Sequence, residues 1–178
     1  MLLTGGGYRH NLLNPSEFEI TIGKRVLNNE LVIDGTIPVF SANVTEPFGY
    51  TDKLLITDFS RDSVLWGIDG DWMVNFWHKN QPFYPTDHCG VLRVLTDKIN
   101  PRYMAYLLEK EGKRAGFSRS YRASIDRVQG ISVTVPDITI QNQTVEKVLA
   151  YEKKIAELEK SMQALNGKRA EIIQQYLQ

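Results

Sequence analysis

The chain lacks several features that would assign it to a familiar class. It has a single cysteine, Cys89, which excludes an internal disulfide and a zinc site built from cysteines. No apolar run approaches the roughly 18 residues of a membrane-spanning helix, and the amino terminus has no cationic, apolar leader. The 21 basic and 21 acidic residues cancel, so the net charge alone favours no partner. We therefore expect a cytoplasmic protein without a membrane partner.

Sequence motifs typical of cofactor-binding and catalytic sites are also missing. Cys89 follows His88, but neighbours on a strand point to opposite faces, so the two would not form a nucleophile and base. The Asp87-His88 pair has no third ligand at metal-binding spacing, and His10 and His78 stand alone. The glycine triplet near the amino terminus lacks the Lys-Ser or Lys-Thr of a phosphate loop. The sequence thus predicts a protein that is not an enzyme and has no metal site and no cofactor.

The first half of the chain has the pattern of a strand-rich domain. Short apolar or alternating runs are separated by Gly, Asp, Asn and Pro, the residues that chain reversals favour. The predicted strands are Phe18 to Ile22, Ile37 to Phe40, Lys53 to Ile56, Ser63 to Ile68, Trp72 to Trp77 and Gly90 to Leu95. Residues 1–16 are predicted to be an irregular lead, and the three tryptophans are predicted to fill core or sheet faces.

The following segment completes a mixed domain. Asn100-Pro101 opens a predicted helix that runs to about Gly112, because proline is favoured in a first helical turn. The alternating run from Ile131 to Val135 predicts a closing strand, which Pro136 ends. We therefore predict an α+β fold over residues 17–137, followed by a long helix over residues 138–178.

That carboxy-terminal helix carries a heptad pattern. Its apolar residues, here called the helix seam, are Val148, Ile155 and Met162 at a positions and Tyr151, Leu158, Leu165 and Ile172 at d positions. Two apolar residues per heptad form a narrower stripe than the face that a globular domain covers, so the pattern favours a coiled coil with another helix. The alternative is a helix folded back on its own domain.

Positive charge is concentrated between the predicted helix and the closing strand, in residues 113–127, here called the basic loop. Its cations are Lys113, Arg114, Arg119, Arg122 and Arg127. Arginine forks suit phosphates and guanine edges, serine hydroxyls are adaptable donors, and the rings of Phe117 and Tyr121 offer faces to sugars or bases. This composition is typical of a DNA-binding loop. The alternative is a solvated loop in which Arg114 or Arg127 pairs within the chain.

Several short segments, taken in order, resemble a known family. They are Gly23 to Arg25, Gly35 to Asn43, Gly49 to Lys53, Val64 to Gly67, Phe83 to His88, and Val133 to Pro136 leading into the helix. Over about residues 18–178 the chain resembles the target-recognition domains of type I restriction-modification specificity subunits. Segment 83–88, followed by the proline and the heptads, makes the resemblance specific.

The resemblance implies a non-catalytic reader of double-stranded DNA. Such a subunit directs DNA adenine methyltransferase subunits and a restriction/translocase subunit to a bipartite site, and the methyltransferase subunits hold S-adenosylmethionine and flip the adenine. The family's standard subunit has two recognition domains and two long helices, whereas this chain has one of each. A homodimer through the helix seam, reading a palindromic split target, is the economical expectation.

The expected DNA contacts come from both parts of the pattern. The basic loop supplies Arg119, Tyr121 and Arg122 first, with Lys113, Ser120 and Arg127 beside them, and the resemblance adds Lys24, Arg25 and Asn43 from loops near the groove. Three alternatives stay open: the separated recognition domain of a fused restriction-methyltransferase, a coiled-coil adaptor that does not bind DNA, and a small hydrolase or nuclease with an unrecognised catalytic group.

Overall fold

The structure is a computed structural model that describes residues 7–177. The chain divides into two compact units, with the boundary between Gln141 and Asn142. The strands of the first unit are β1 (Tyr8–Asn11), β2 (Phe18–Ile22), β3 (Ile37–Phe40), β4 (Gly49–Thr51), β5 (Ser63–Gly67), β6 (Val74–Trp77), β7 (Tyr84–Pro85), β8 (Cys89–Val94) and β9 (Ser132–Val135). The helices of the described chain are α1 (Pro101–Ala115), α2 (Ile125–Gln129) and α3 (Ile138–Tyr176).

A four-stranded antiparallel sheet, ordered β2-β8-β5-β6, forms the centre of the first unit. Along β5 the side chains of Val64 and Trp66 point to one apolar cluster and that of Leu65 to another, as the two-residue period of a strand requires. All five residues of β5 and all six of β8 are buried. The central strands are therefore covered on both faces.

The two faces have different partners. One face packs against Met104 and Leu108 of α1, Val128 of α2 and the β9 side chains Val133 and Val135. The other packs against apolar residues that include Phe40 of β3 and Phe83, which precedes β7. There a second sheet, ordered β4-β3-β7, pairs β3 with β4 antiparallel and with β7 parallel.

Local signals explain why α1 begins and ends where it does. The Asn100 carboxamide oxygen accepts hydrogen bonds from the backbone N–H groups of Arg102 and Tyr103, and Pro101 occupies the first turn. Gly116 ends the helix with φ of 78°, a left-handed conformation that favours glycine. The structure thus confirms the helix predicted from Asn100-Pro101, extended to Ala115.

Several strand predictions are confirmed and three segments differ. β2 and β3 have the predicted bounds, but residues 53–56 form no strand, and β4 lies earlier at Gly49–Thr51. The expected irregular lead contains β1, which pairs antiparallel with β9; residues 1–6 of that lead lie outside the described part of the chain. The basic loop contains the short helix α2. Pairing with β9, rather than any local pattern, makes β1 a strand.

The second unit is helical from Asn142 through Tyr176, as the continuation of α3. The whole of α3 has 39 residues and a length of about 58 Å at 1.5 Å per residue. Six of the seven helix-seam side chains are exposed, and Val148 is half-buried. Between residues 7 and 177, no helix is both long and apolar enough to cross a lipid bilayer.

Candidate DNA interface

The basic loop is anchored to the core by an aromatic side chain. Phe117 is only 6% exposed, and its ring lies 5.1 Å from that of Trp72, centroid to centroid. The expectation that Phe117 offers a face to sugars or bases is therefore wrong, because the ring is part of the core. The indole of Trp72 in turn donates a 2.9 Å hydrogen bond to the Glu109 carbonyl of α1. The packing of Phe117 against Trp72 therefore fixes the start of the loop tip on the core.

The tip of the basic loop is a tight reversal between Ser118 and Tyr121. Each backbone N–H of these two residues donates to the carbonyl of the other, at 3.0 and 3.1 Å. Arg119 and Ser120 lie between them and are exposed. The Ser120 hydroxyl is 3.2 Å from that of Ser118, whereas Arg119 forms no hydrogen bond or ion pair with any residue that the structure describes. Arg119 is therefore a cation presented to solvent.

Tyr121 and Arg127 make stabilising contacts with other residues of the same loop. The Tyr121 ring stacks on Phe117 with centroids 5.7 Å apart, and the Arg127 guanidinium lies 4.1 Å from the Tyr121 centroid. Arg127 also donates a 2.8 Å hydrogen bond to the carbonyl of Arg122. Both predicted DNA-contacting side chains are thus engaged within the loop itself, although both remain exposed.

The first two cations of the basic loop lie on the last turn of α1. The Lys113 ammonium is 2.5 Å from a Glu109 carboxylate oxygen, and the Arg114 guanidinium is 3.6 Å from Glu111. The internal pairing considered for Arg114 is therefore present. The cations of both pairs are exposed, and ion pairs at the surface contribute at most about 1 kcal/mol.

Arg122 pairs with a carboxylate that sequence reasoning did not assign to the site. Its Nε and Nη2 groups face the two carboxylate oxygens of Asp69, with Nη2 donating at 2.9 Å, and His88 Nδ1 pairs with the same carboxylate. Partial burial tends to raise the pKa of Asp69, but the hydrogen bonds from His88 and Arg122 outweigh it and hold the pKa below its ordinary value. Asp69 is therefore an anion that joins two chain segments.

Backbone hydrogen bonds hold these segments beside the ion pairs. The N–H of Ile68 donates to the His88 carbonyl at 3.0 Å, and the N–H of Ala123 donates to the Ile68 carbonyl at 3.1 Å. The buried indole of Trp66 donates to the Ala123 carbonyl at 2.9 Å. Ala123, next to Arg122, thus has both of its backbone polar groups satisfied. These hydrogen bonds tie the backbone next to Arg122 to β5 and to the residue that follows it, which fixes the position of Arg122.

A cleft of about 660 Å³ lies on the other side of His88. Its walls include Arg25, Ser41, Phe48 and Thr86, together with His88. The Thr86 hydroxyl donates to that of Ser41 at 3.1 Å, which ties β3 to the turn before β8. His88 therefore links two predicted residues: it lines the cleft with Arg25, and it shares the Asp69 carboxylate with Arg122.

The remaining predicted residues lie near the cleft. Lys24 is exposed, and its backbone N–H donates to the Pro85 carbonyl at 3.2 Å. Asn43 follows the cleft residue Ser41 by two positions, and its carboxamide oxygen accepts from the Thr45 N–H at 2.9 Å. That bond closes a local turn, so Asn43 shapes its own loop. No described contact links Asn43 to the basic loop.

Sequence reasoning missed Asp69 and His88 as members of this surface. Asp69 lies in a turn between β5 and β6, where Asp is common for its turn-forming chemistry, and the sequence favours no role for His88 as a base or a metal ligand. Asp69 is 53 positions from Arg122 and 19 from His88, so no local spacing indicates these pairs. The one available signal was that both residues belong to polar turns that follow buried strands.

Cys89 lies beneath this surface and not on it. Its side chain is fully buried, and burial raises the pKa of the thiol. Cys89 is therefore a thiol packed in the core. Within residues 7–177 there is also no group of three or more His, Cys, Asp or Glu side chains that could hold a metal ion.

Comparison with known proteins identifies a family that this chain matches. The model of the type I restriction modification DNA specificity domain matches residues 18–166. The type I restriction enzyme MpnII specificity subunit of Mycoplasma pneumoniae is 26% identical over 148 residues, covering 80% of this chain and 44% of the relative.

Solved structures agree at the level of the fold. The type I restriction-modification S subunit from M. genitalium superposes with a TM-score of 0.68 at 16% identity, covering 96% of this chain and 46% of that one. The HsdS subunit from Thermoanaerobacter tengcongensis gives a TM-score of 0.65 at 14% identity, covering 90% and 41%. The chain spans less than half the length of each of these three proteins. Because the family model matches well over half of it, the chain belongs to the family of type I restriction modification DNA specificity domains.

Proposed function

We propose that this chain recognises a double-stranded DNA sequence for a type I restriction-modification system. The observation that carries the proposal is the exposed Arg119 at the tip of a loop anchored to the core, on a chain that belongs to a DNA specificity family. A cation without an internal partner gains more from a phosphate than one that must first leave a carboxylate. The loop is also preorganised, so little further ordering accompanies binding.

The DNA-contacting surface in this proposal joins the basic loop to the rim of the cleft. Its members are Lys24, Arg25, Asn43, Lys113, Arg119, Ser120, Tyr121, Arg122 and Arg127. Arg119 contacts a phosphate, and Ser120 beside it offers a hydroxyl to the same strand. Lys113 can exchange its exposed Glu109 partner for a phosphate. Lys24 and Arg25 contact the backbone on the far side of His88.

The chain contributes recognition and not catalysis. In this proposal it directs DNA adenine methyltransferase subunits and a restriction/translocase subunit to a bipartite site, in the cytoplasm, and binds no cofactor itself. The methyltransferase subunits would hold the methyl donor and flip the target adenine. The support is the family match and the relative that carries the name of a specificity subunit.

We further propose that two copies associate through the helix seam as a coiled coil. An exposed apolar seam forgoes roughly 1.5–3 kcal/mol for each side chain that a partner would bury. Leu158 is 60% exposed and Ile155 is 54% exposed, in the middle of that seam. A two-fold dimer presents two recognition surfaces, which fits a palindromic target split by a spacer.

Methylome sequencing tests the DNA proposal. A host that carries the gene should show a bipartite adenine-methylation motif that disappears when the gene is deleted and returns when it is restored. Purified chain with Arg119→Ala should bind duplex DNA more weakly, with the salt slope lower by about one unit. An unchanged methylome on deletion, together with unchanged affinity and slope in the variant, would refute the proposal.

Sedimentation equilibrium tests the dimer. Leu158→Asp places a charge in the middle of the seam and should convert a dimer into a monomer at micromolar concentration. Ala156→Asp is the matched control, because it makes a similar change at a position outside the seam. A wild-type chain that sediments as a monomer, or a dimer that Leu158→Asp leaves intact, would exclude association through this seam.

The three alternative functions make different predictions. A small hydrolase or nuclease would show turnover in an assay with a divalent metal. A coiled-coil adaptor would dimerise through the same seam but show no affinity for duplex DNA at low salt. The separated recognition domain of a fused restriction-methyltransferase would bind DNA and require a methyltransferase encoded nearby. DNA binding that depends on Arg119 excludes the adaptor.

A further inference from the structure

The arrangement of Arg122 differs in kind from that of Arg119. Arg122 is 56% exposed, yet its guanidinium faces the Asp69 carboxylate through Nε and Nη2. Asp69 is 28% exposed and also pairs with His88. Arg119, three residues earlier, has no partner among the described residues. The basic loop therefore presents one cation without an internal partner, Arg119, and one that a carboxylate holds in place, Arg122.

The pairing with Asp69 leaves a defined edge of the guanidinium available. Arginine has five N–H donors in a planar fork, and the carboxylate uses the side edge formed by Nε and one N–H of Nη2. Of the three remaining donors, the second N–H of Nη2 and one N–H of Nη1 are parallel and form the end edge. Two parallel donors on that edge match N7 and O6 of guanine in the major groove.

Electrostatics favour a base over a phosphate at Arg122. The Asp69 carboxylate neutralises the guanidinium and would repel a phosphate brought beside it, because Asp69 is itself anionic and partly exposed. A guanine edge carries acceptors but no net charge, so it gains the hydrogen bonds without that repulsion. Arg119 has no such carboxylate beside it, which favours a phosphate there.

Rigidity gives the second reason. Ala123, next to Arg122, is tied to Ile68 by its N–H and to the Trp66 indole by its carbonyl. Arg127 binds the Arg122 carbonyl itself. Backbone and guanidinium are thus both held before DNA arrives. Discrimination between bases needs this kind of fixed geometry, whereas a phosphate contact tolerates a mobile side chain.

We propose that Arg122, held by Asp69, is a specificity-determining residue that reads a guanine edge in the major groove, while Arg119 contacts the phosphate backbone. This inference rests on the proposed DNA function. It assigns Asp69 as the positioning residue, and it assigns His88 the role of holding Asp69 through Oδ2, the oxygen that also accepts from Arg122 Nη2.

Selection from a random duplex library tests the assignment. The full chain is incubated with duplexes that contain a randomised central segment, and bound molecules are sequenced at two salt concentrations. Wild type should enrich a motif containing guanine. Arg122→Lys keeps the charge but loses the fork, so it should reduce the guanine preference at one position per half-site by roughly 5- to 150-fold and leave the salt slope unchanged.

Two further variants separate positioning from structure. Asp69→Asn should release Arg122 as a free cation, so binding to all sequences should strengthen, the salt slope should rise by about one unit, and the guanine preference should fall. Arg119→Ala should keep the whole motif with weaker binding and a lower slope. Arg114→Lys, which alters another exposed arginine paired with a carboxylate, is the matched control and should keep the motif and slope.

The outcomes distinguish this inference from the proposed function. If wild type enriches a motif that Arg122→Lys and Asp69→Asn leave intact, Arg122 does not read a base and the inference alone is overturned. The same holds if Arg122→Ala lowers the salt slope by one and changes no base preference. If wild type enriches no motif at any salt concentration, the proposed DNA function is overturned as well.

Discussion

Gly90 of β8 lies against the indole ring of Trp66 on β5. A Cβ atom at Gly90 would fall 2.2 Å from two carbons of that ring, far inside van der Waals contact. Trp66 is fully buried and its Nε1 is fixed by the hydrogen bond to Ala123, so the ring has little freedom to move aside. The contact couples the central sheet to the loop that carries Arg122.

We predict that Gly90→Ala lowers the free energy of unfolding by about 2–3 kcal/mol, because an added methyl group overpacks a rigid site. Urea denaturation monitored by tryptophan fluorescence measures the change. Gly167→Ala is the control: among the described residues, nothing beyond the adjoining helix backbone lies within 4 Å of a Cβ there, and alanine should stabilise the helix by up to about 1 kcal/mol. An equal response of the two variants would contradict the packing argument.

The sequence predicted the elements whose signals are local. The strand at 18–22 alternates, the helix from Asn100-Pro101 has its cap and proline, and the heptads predict the long helix. The strand β1 and the position of β4 were missed, because each is defined by its partner and not by its own pattern. A ladder of backbone bonds leaves no sequence signature in a short exposed strand.

The candidate site was predictable in composition but not in geometry. The basic loop and its cations were found from charge and aromatic content. The sequence did not predict that Arg119 has no internal partner whereas Arg122 forms an ion pair. That difference depends on Asp69, which the fold brings from another turn. Phe117 was expected at the surface and lies in the core because Trp72 covers it. Aromatic residues in a basic segment therefore serve packing as readily as recognition.

Trp66→Phe should destabilise the chain and disturb the basic loop. The change removes the only side-chain donor that the structure describes for the buried Ala123 carbonyl and leaves a small cavity, for a cost of about 3 kcal/mol. Trp77→Phe removes an equivalent 2.9 Å bond to the Gln81 carbonyl in an exposed setting and should cost about 1 kcal/mol. Chemical denaturation of both variants gives the comparison, and a smaller loss for Trp66→Phe would be inconsistent with the buried bond.

Asp69 should make stability depend on pH in a defined direction. Because the folded-state pKa of Asp69 lies below its ordinary value, the ion pairs stabilise the folded chain above that ordinary pKa. The stabilisation is lost as pH falls through the lowered folded-state pKa. Asp69→Asn should therefore be less stable than wild type by about 1 kcal/mol at pH 7, with the difference shrinking in acid.

Urea titrations of wild type and Asp69→Asn between pH 7 and pH 2.5 measure that difference. Asp71→Asn is the control, because Asp71 lies in the same turn and forms no ion pair with the described residues. It should change the free energy of unfolding by less than about 0.5 kcal/mol at pH 7. A gap between wild type and Asp69→Asn that widens in acid would reverse the sign assigned to Asp69.

Gln141 should be among the most sensitive polar positions of the first unit. Its side chain is fully buried, and the carboxamide nitrogen donates to the carbonyls of Lys98 and Pro136 at 2.9 and 2.8 Å. The carboxamide oxygen accepts from the Asn100 N–H at 2.9 Å. Three backbone groups at the start of α1, the end of β9 and the preceding turn thus depend on one side chain.

Gln141→Leu keeps a similar volume but leaves those three backbone groups without this partner, so it should lower the free energy of unfolding by about 3 kcal/mol. Gln143→Leu makes the same change at an exposed position two residues later and should stay within about 0.5 kcal/mol of wild type. Denaturation midpoints at fixed protein concentration decide between them. Equal midpoints would mean that water replaces the lost bonds, which a fully buried site disfavours because it gives water no ready access.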